Sequence, residues 1–149
     1  MKSNRTLPPT YFLLSIMAMS IFHFTLPVMQ LLHFPYTLLG TLPMVMGIAL
    51  NLVADSALKT QSTTVKPFEI STALVTTSAY RICRHPMYLG MVLILTGIAL
   101  LMGSLTPLLV PVVFGISMEV VFIRAEEIML EQCFGTLWQE YKRRVRRWI

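Results

Sequence analysis

Four long runs of apolar positions divide the chain, roughly Thr10 to Leu32, Tyr36 to Leu58, Pro86 to Ser104 and Leu105 to Ile123. Each approaches the ~20 residues an α-helix needs to cross the hydrocarbon core of a bilayer. Between the second and third runs, residues 59–85 are rich in Ser and Thr and interrupted by Pro67. This stretch is too polar to span and too long for a tight turn, so an ordered cytoplasmic loop or cap is expected. From Glu126 the rhythm changes. Ile128, Met129, Phe134, Leu137, Trp138 and Tyr141 alternate with Glu131, Gln132, Glu140 and Lys142, predicting an amphipathic helix over 126–147 along the membrane interface. The expected fold class is all-α: a single-domain polytopic membrane bundle of about four transmembrane helices plus this C-terminal amphipathic helix.

Small residues recur inside the runs at a seven-residue interval, Gly40, Gly47 and Ala54 in the second and Gly90, Gly97 and Ser104 in the third. Seven residues are about two helical turns. Each set therefore makes a stripe along which helix backbones approach closely. His23, Gln30, His33 and Asn51 read as satisfied interhelical or interfacial polar groups.

Composition agrees with a membrane protein. The 149 residues fit one domain and are 55% hydrophobic and 13% charged, which excludes an ordinary soluble fold of this size. The first run is long for a signal peptide and lacks the usual small-residue cleavage site. Four spans place all twelve Lys and Arg residues on one side, with both termini and the 59–85 segment. The positive-inside rule makes that side cytoplasmic, and an odd span count would split the set. The net charge of +5 is then explained by topology and by attraction to anionic membrane lipids. No nucleic-acid motif accompanies it, so no nucleic-acid partner is expected. Cys83 and Cys133 fall on the reducing side, without the spacing of a metal site. Neither a disulfide nor a metal is expected.

The third and fourth runs bring chemistry together. Pro86 suits the first position of a helix. Counted from the turn near Leu105, His85 lies twenty residues back and Glu126 twenty-one forward, so an antiparallel hairpin sets them at one membrane depth. Arg84 and His85 precede a helix N-terminus, which favours an anion, while Glu126 and Glu127 offer acceptors to cations or hydroxyls. Tyr88 adds an aromatic face and a hydroxyl. A zwitterionic ligand suits such a pocket, although taken singly each residue is also a common membrane anchor. Glu119, seven residues before Glu126, falls on the same face about two turns deeper, where an ionisable group is costly unless partnered.

The segment Tyr80-Arg81-Ile82-Cys83-Arg84-His85-Pro86-Met87-Tyr88-Leu89-Gly90, followed by Arg124-Ala125-Glu126-Glu127, Phe134-Gly135 and Tyr141, resembles the signature of isoprenylcysteine carboxyl methyltransferases and related phospholipid methyltransferases. Thr63-Thr64-Val65-Lys66-Pro67-Phe68 and Leu74-Val75-Thr76 look like the bacterial branch, and the resemblance covers roughly Thr63 to Ile149. It implies an integral membrane enzyme, of a bacterial inner membrane, that uses S-adenosylmethionine without a soluble-type nucleotide fold. Carried over by position, His85, Tyr88, Gly90, Glu126 and Glu127 are candidate donor-binding residues. Arg84 and Arg124 are candidates for holding a carboxylate of substrate or donor, and Arg84, Arg124 and Glu127 form the candidate catalytic set. The chain departs from the family at Ser78-Ala79, where Gly-Pro is usual.

The acceptor implied is lipophilic, an isoprenoid or lipid carboxylate or a lipid amine. Two other classes fit the pattern: an NAD(P)H-dependent membrane reductase of related helical arrangement, and a non-catalytic membrane subunit. Oligomeric state is not encoded in any feature of the sequence.

Overall fold

A computed structural model describes residues 7–26, 29–60 and 74–149. Pro27, most of the polar loop and the Thr63 to Phe68 motif fall outside them. Among the described residues the protein is helical: α1 (Pro8–Thr25), α2 (Thr41–Thr60, entered through a 3-10 turn at Tyr36–Gly40), α3 (Pro86–Met102), α4 (Leu105–Met118) and α5 (Arg124–Arg144). A π-helical turn, Glu119–Ile123, joins α4 to α5 without a break. The all-α class expected from the sequence is observed.

Two stretches are long and apolar enough to cross a membrane, Tyr36–Thr60 and Leu105–Arg144, and α3 is a shorter apolar helix. At ~1.5 Å per residue the 40 residues of Leu105–Arg144 measure about 60 Å, twice the ~30 Å of a hydrocarbon core. Only its apolar first half suits lipid. The side-chain distribution is inverted relative to a soluble protein: Leu42, Leu109, Val112, Val113 and Ile116 are each about 60% exposed or more, while Arg84 and Glu127 are buried. With a methyl-rich exterior of this kind, the protein associates with a membrane.

α3 is the central helix, packed against α2, α4 and α1. It starts where Pro86 predicts, at the first helical position, and closes at Gly103. The glycine stripes are its seam with α2. A Cβ on Gly47 would lie 2.5 Å from the carbonyl oxygen of Gly90 and 2.9 Å from the amide nitrogen of Ile94, and Gly40 and Gly97 meet in the same way. The antiparallel register thus pairs 40 with 97 and 47 with 90. Ala54 continues the stripe, fully buried. Ser104 does not: its hydroxyl lies 2.8 Å from His23 Nδ1, tying the α3–α4 turn to α1. The core beside this seam is Met19, Leu95, Phe114, Met118 and Phe122.

α5 begins in line with α4 and turns at Gly135, whose φ 50 and ψ −116 are non-helical. The helix ends at Arg144, and Val145 leaves it in an extended conformation. Residues 145–149, expected to continue the helix to 147, instead fold back along the bundle.

Ser78, where relatives of the resembled family carry Gly, adopts φ 57. That left-handed conformation costs a non-glycine residue about 1 kcal/mol. Ser78→Gly is expected to stabilise the protein by about this amount, seen as a higher thermal midpoint in detergent; an unchanged or lower midpoint would show that the Ser78 turn carries no such strain.

Candidate active site

The hairpin of α3 and α4 delivers the two motifs to one place. His85, at the N-cap of α3, sets Nε2 3.4 Å from Glu127 Oε1 and Nδ1 3.5 Å from Glu126 Oε2. The Tyr88 hydroxyl, one turn into α3, donates to Glu126 Oε1 at 2.5 Å. Arg84 Nη1 lies 3.1 Å from Glu127 Oε1, and the guanidinium stacks 5.5 Å from the Trp138 ring centroid. The equal-depth argument from helix length therefore holds to within hydrogen-bonding distance. Tyr88 also stands beside the rings of His85 and Phe122, forming an aromatic wall.

Arg84, His85, Tyr88, Glu126 and Glu127 converge; Gly90 and Arg124 do not join them. Gly90 faces α2, against Gly47 and the Asn51 side chain. Its role in the geometry is to let α2 approach. Arg124 is 63% exposed and reaches no closer than 4.0 Å to Glu119 Oε1.

Residues absent from the sequence-based set complete the cluster. Arg147 donates from Nε to Glu127 Oε1 at 3.1 Å and from Nη2 to Glu127 Oε2 at 2.5 Å, while Nη1 bonds Glu119 Oε1. Trp148 Nε1 donates to Glu119 Oε2 at 3.0 Å. The Arg84 amide donates to the Arg146 carbonyl at 3.0 Å, and the Tyr141 hydroxyl to the Tyr80 carbonyl at 2.7 Å. The signal that could have found Arg147 was Glu119 itself, an acid whose apolar surroundings demand a cationic partner. Glu119 also shares its alignment with Glu127 rather than Glu126. The π turn between them inserts one extra residue, so two turns take about eight residues instead of seven.

Glu127 and His85 lie beyond the apolar runs, and their ionisation follows from this wiring. Burial opposes charge on Glu127. Hydrogen bonds from His85 and Arg147, with the positive fields of Arg84 and Arg147, outweigh it and hold the carboxyl at about 2, below the ordinary 4.5. At His85 burial again opposes charge, but bonds to Glu126 and Glu127 prevail and raise it above its ordinary value. The core of the site is thus the His85 ring between two acidic side chains, with the buried Arg84 guanidinium on one flank. Among the described residues, Nε and Nη1 of Arg84 are buried without a hydrogen-bond partner, as is Nε1 of Trp138. Arg84 Nη1 is near Glu127 but not aligned with it. Buried donors left unpaired are costly, which marks them as places for an acceptor.

Apolar outward faces and a buried charged cluster where the apolar helices end define a membrane-associated helical protein with an internal ionic cluster. The chain belongs to the phospholipid methyltransferase family, whose sequence model matches residues 35–137. This family places it among methyltransferases of lipid-type substrates. The match includes Arg84 to Gly90 and Arg124 to Glu127, and stops before Trp138, Tyr141, Arg147 and Trp148. Neither curated proteins nor solved structures give a significant match.

Proposed function

We propose that this protein transfers a methyl group from S-adenosylmethionine to a lipophilic acceptor, an isoprenoid or lipid carboxylate or a lipid amine, at the cytoplasmic face of a bacterial inner membrane. In this reading α1 to α4 are four spans, both termini are cytoplasmic, and the far half of α5 lies along the interface. The observation that carries it is Arg84: a buried cation with unpartnered N–H groups is the chemistry a carboxylate requires, and it stands beside an acidic pair suited to hydroxyls and positive charge. The zwitterionic donor presents both kinds of group, so the residues fit it.

When bound, S-adenosylmethionine supplies a methyl already activated on a sulfonium. The protein's task is alignment and exclusion of water, which supplies on the order of 7–11 kcal/mol in favourable intramolecular systems. Arg84 would hold a carboxylate, of donor or of substrate. Tyr88 and His85 orient Glu126, and His85, Arg84 and Arg147 orient Glu127. A carboxylate acceptor needs no base. For an amine acceptor, Glu126 is the carboxyl placed to take the proton, because both oxygens of Glu127 are engaged by Arg147 whereas Glu126 keeps lone pairs beyond those facing Tyr88 and His85.

Isothermal titration calorimetry on detergent-purified protein tests the reading. Heat of binding is expected with S-adenosylmethionine and with its demethylated product, and incubation with labelled donor and a lipid extract should yield a labelled lipophilic product. A folded sample that gives no heat with either compound would refute donor binding.

A further inference from the structure

The tail is built into the site rather than laid over it. Arg147 spans two carboxylates from different turns of the α4–α5 rod, with two of its nitrogens on Glu127 and the third on Glu119. Trp148 takes the second oxygen of Glu119 and packs against the hydrophobic core. The Arg146 carbonyl receives the Arg84 amide, so the same five-residue segment also pins the backbone from which His85 enters α3. Among the described residues the polar partners of Glu119 are Arg147, Trp148 and, at 4.0 Å, Arg124, none of them on α3.

We propose that Arg147, anchored by Glu119 and Trp148, is a positioning residue that fixes the Glu127 carboxylate against His85 and Arg84. The inference deepens the methyltransferase reading and rests on it for its functional consequence. Bidentate guanidinium–carboxylate pairing fixes orientation as well as charge, which a lysine ammonium cannot do in the same way. Without Arg147, Glu127 would keep Arg84 and His85 as its partners, with Glu126 on its own helix and Glu119 about two turns deeper as opposing acids. Tyr88 acts on it only through Glu126, and Arg124 is exposed at the far side of Glu119.

The test separates this claim from the donor assignment. Difference infrared titration, with Glu127→Gln as the subtraction that identifies the carboxylate band, reads the ionisation of Glu127 without any donor. In Arg147→Ala its midpoint is expected to rise by about one to three pH units, the usual effect of losing an adjacent opposite charge. Arg147→Lys should recover part of the shift, and Glu119→Gln, which loosens the anchor but keeps the cation, should give a smaller rise. Glu119→Gln also serves if Arg147→Ala does not fold. In calorimetry, the acid limb of S-adenosylhomocysteine binding should move with the infrared midpoint. An unchanged Glu127 midpoint in a folded Arg147→Ala or Glu119→Gln protein overturns the positioning role. Wild type that binds no S-adenosylhomocysteine, while the infrared shift is present, overturns the donor reading and leaves the wiring of Arg147 to Glu127 established.

Discussion

Glu127→Gln is expected to weaken donor binding by about 100-fold or more, which corresponds to roughly 2.8 kcal/mol. Glutamine keeps the shape of the side chain but removes the charge that Arg84, Arg147 and the His85 ring address. Arg84 is then a buried guanidinium without a counter-ion, and His85 retains Glu126 alone. Breaking a buried pair in this way costs about 3–5 kcal/mol of stability, so the variant should also unfold at lower temperature. The stability difference carries a pH signature. Because the folded state lowers the Glu127 carboxyl from 4.5 to about 2, its contribution is fully present above pH 4.5 and is lost as the pH falls toward 2. The gap between wild type and Glu127→Gln should therefore close on acidification and, because Glu127 also helps to raise His85, narrow again as the pH climbs through the folded-state value of that imidazole. Calorimetry on folded protein measures the first effect, and thermal unfolding across pH the second. Binding within about threefold of wild type would remove Glu127 from the site.

Gly47→Ala is expected to damage the site from a distance. Its added Cβ would stand 2.5 Å from the Gly90 carbonyl oxygen and 2.9 Å from the Ile94 amide, and these are backbone atoms that cannot rotate away. α2 and α3 must separate, at a cost of about 1–3 kcal/mol from overpacking. Gly90 is one turn above Pro86, so the displacement reaches the start of α3 and with it His85 and Tyr88. Lower thermal stability and weaker donor binding should appear together. Gly115→Ala is the matched control: its Cβ would meet Val92 at an ordinary 3.7 Å, and alanine is the better helix former. Equal tolerance of both substitutions would show that the α2–α3 seam is looser than the glycine pairing implies.

Much of this architecture is legible in the sequence because helices obey simple arithmetic. Rise per residue sets His85 and Glu126 at one depth, and the seven-residue interval finds Gly40, Gly47, Gly90 and Gly97 on their seam. Pro86 marks the start of α3 with no help from tertiary structure. Irregularities defeat the same arithmetic. The π turn at Glu119–Ile123 shifts the register by one residue, so periodic counting aligned Glu119 with Glu126 when its shared partner lies on Glu127. Arg147 was read as a topological charge because no periodicity links it to Glu119. The link depends on a turn at Gly135 and a helix end at Arg144 that together reverse the chain. At Arg124 motif and geometry part company: the residue adjoins the acidic pair in sequence but lies on the exposed side of the rod.

Gly135 sets where the α4–α5 rod changes direction. Eight residues beyond Glu127, about 12 Å along the axis, it bends the helix whose next turns carry Trp138 to Arg84 and Tyr141 to the Tyr80 carbonyl. A Cβ there would meet nothing within 4 Å, so the demand for glycine is conformational and not a matter of room. The distance from the acidic pair to this elbow therefore acts as a ruler. It fixes how far past the acidic pair the chain turns back to set Trp138 on Arg84 and the Tyr141 hydroxyl on the Tyr80 carbonyl.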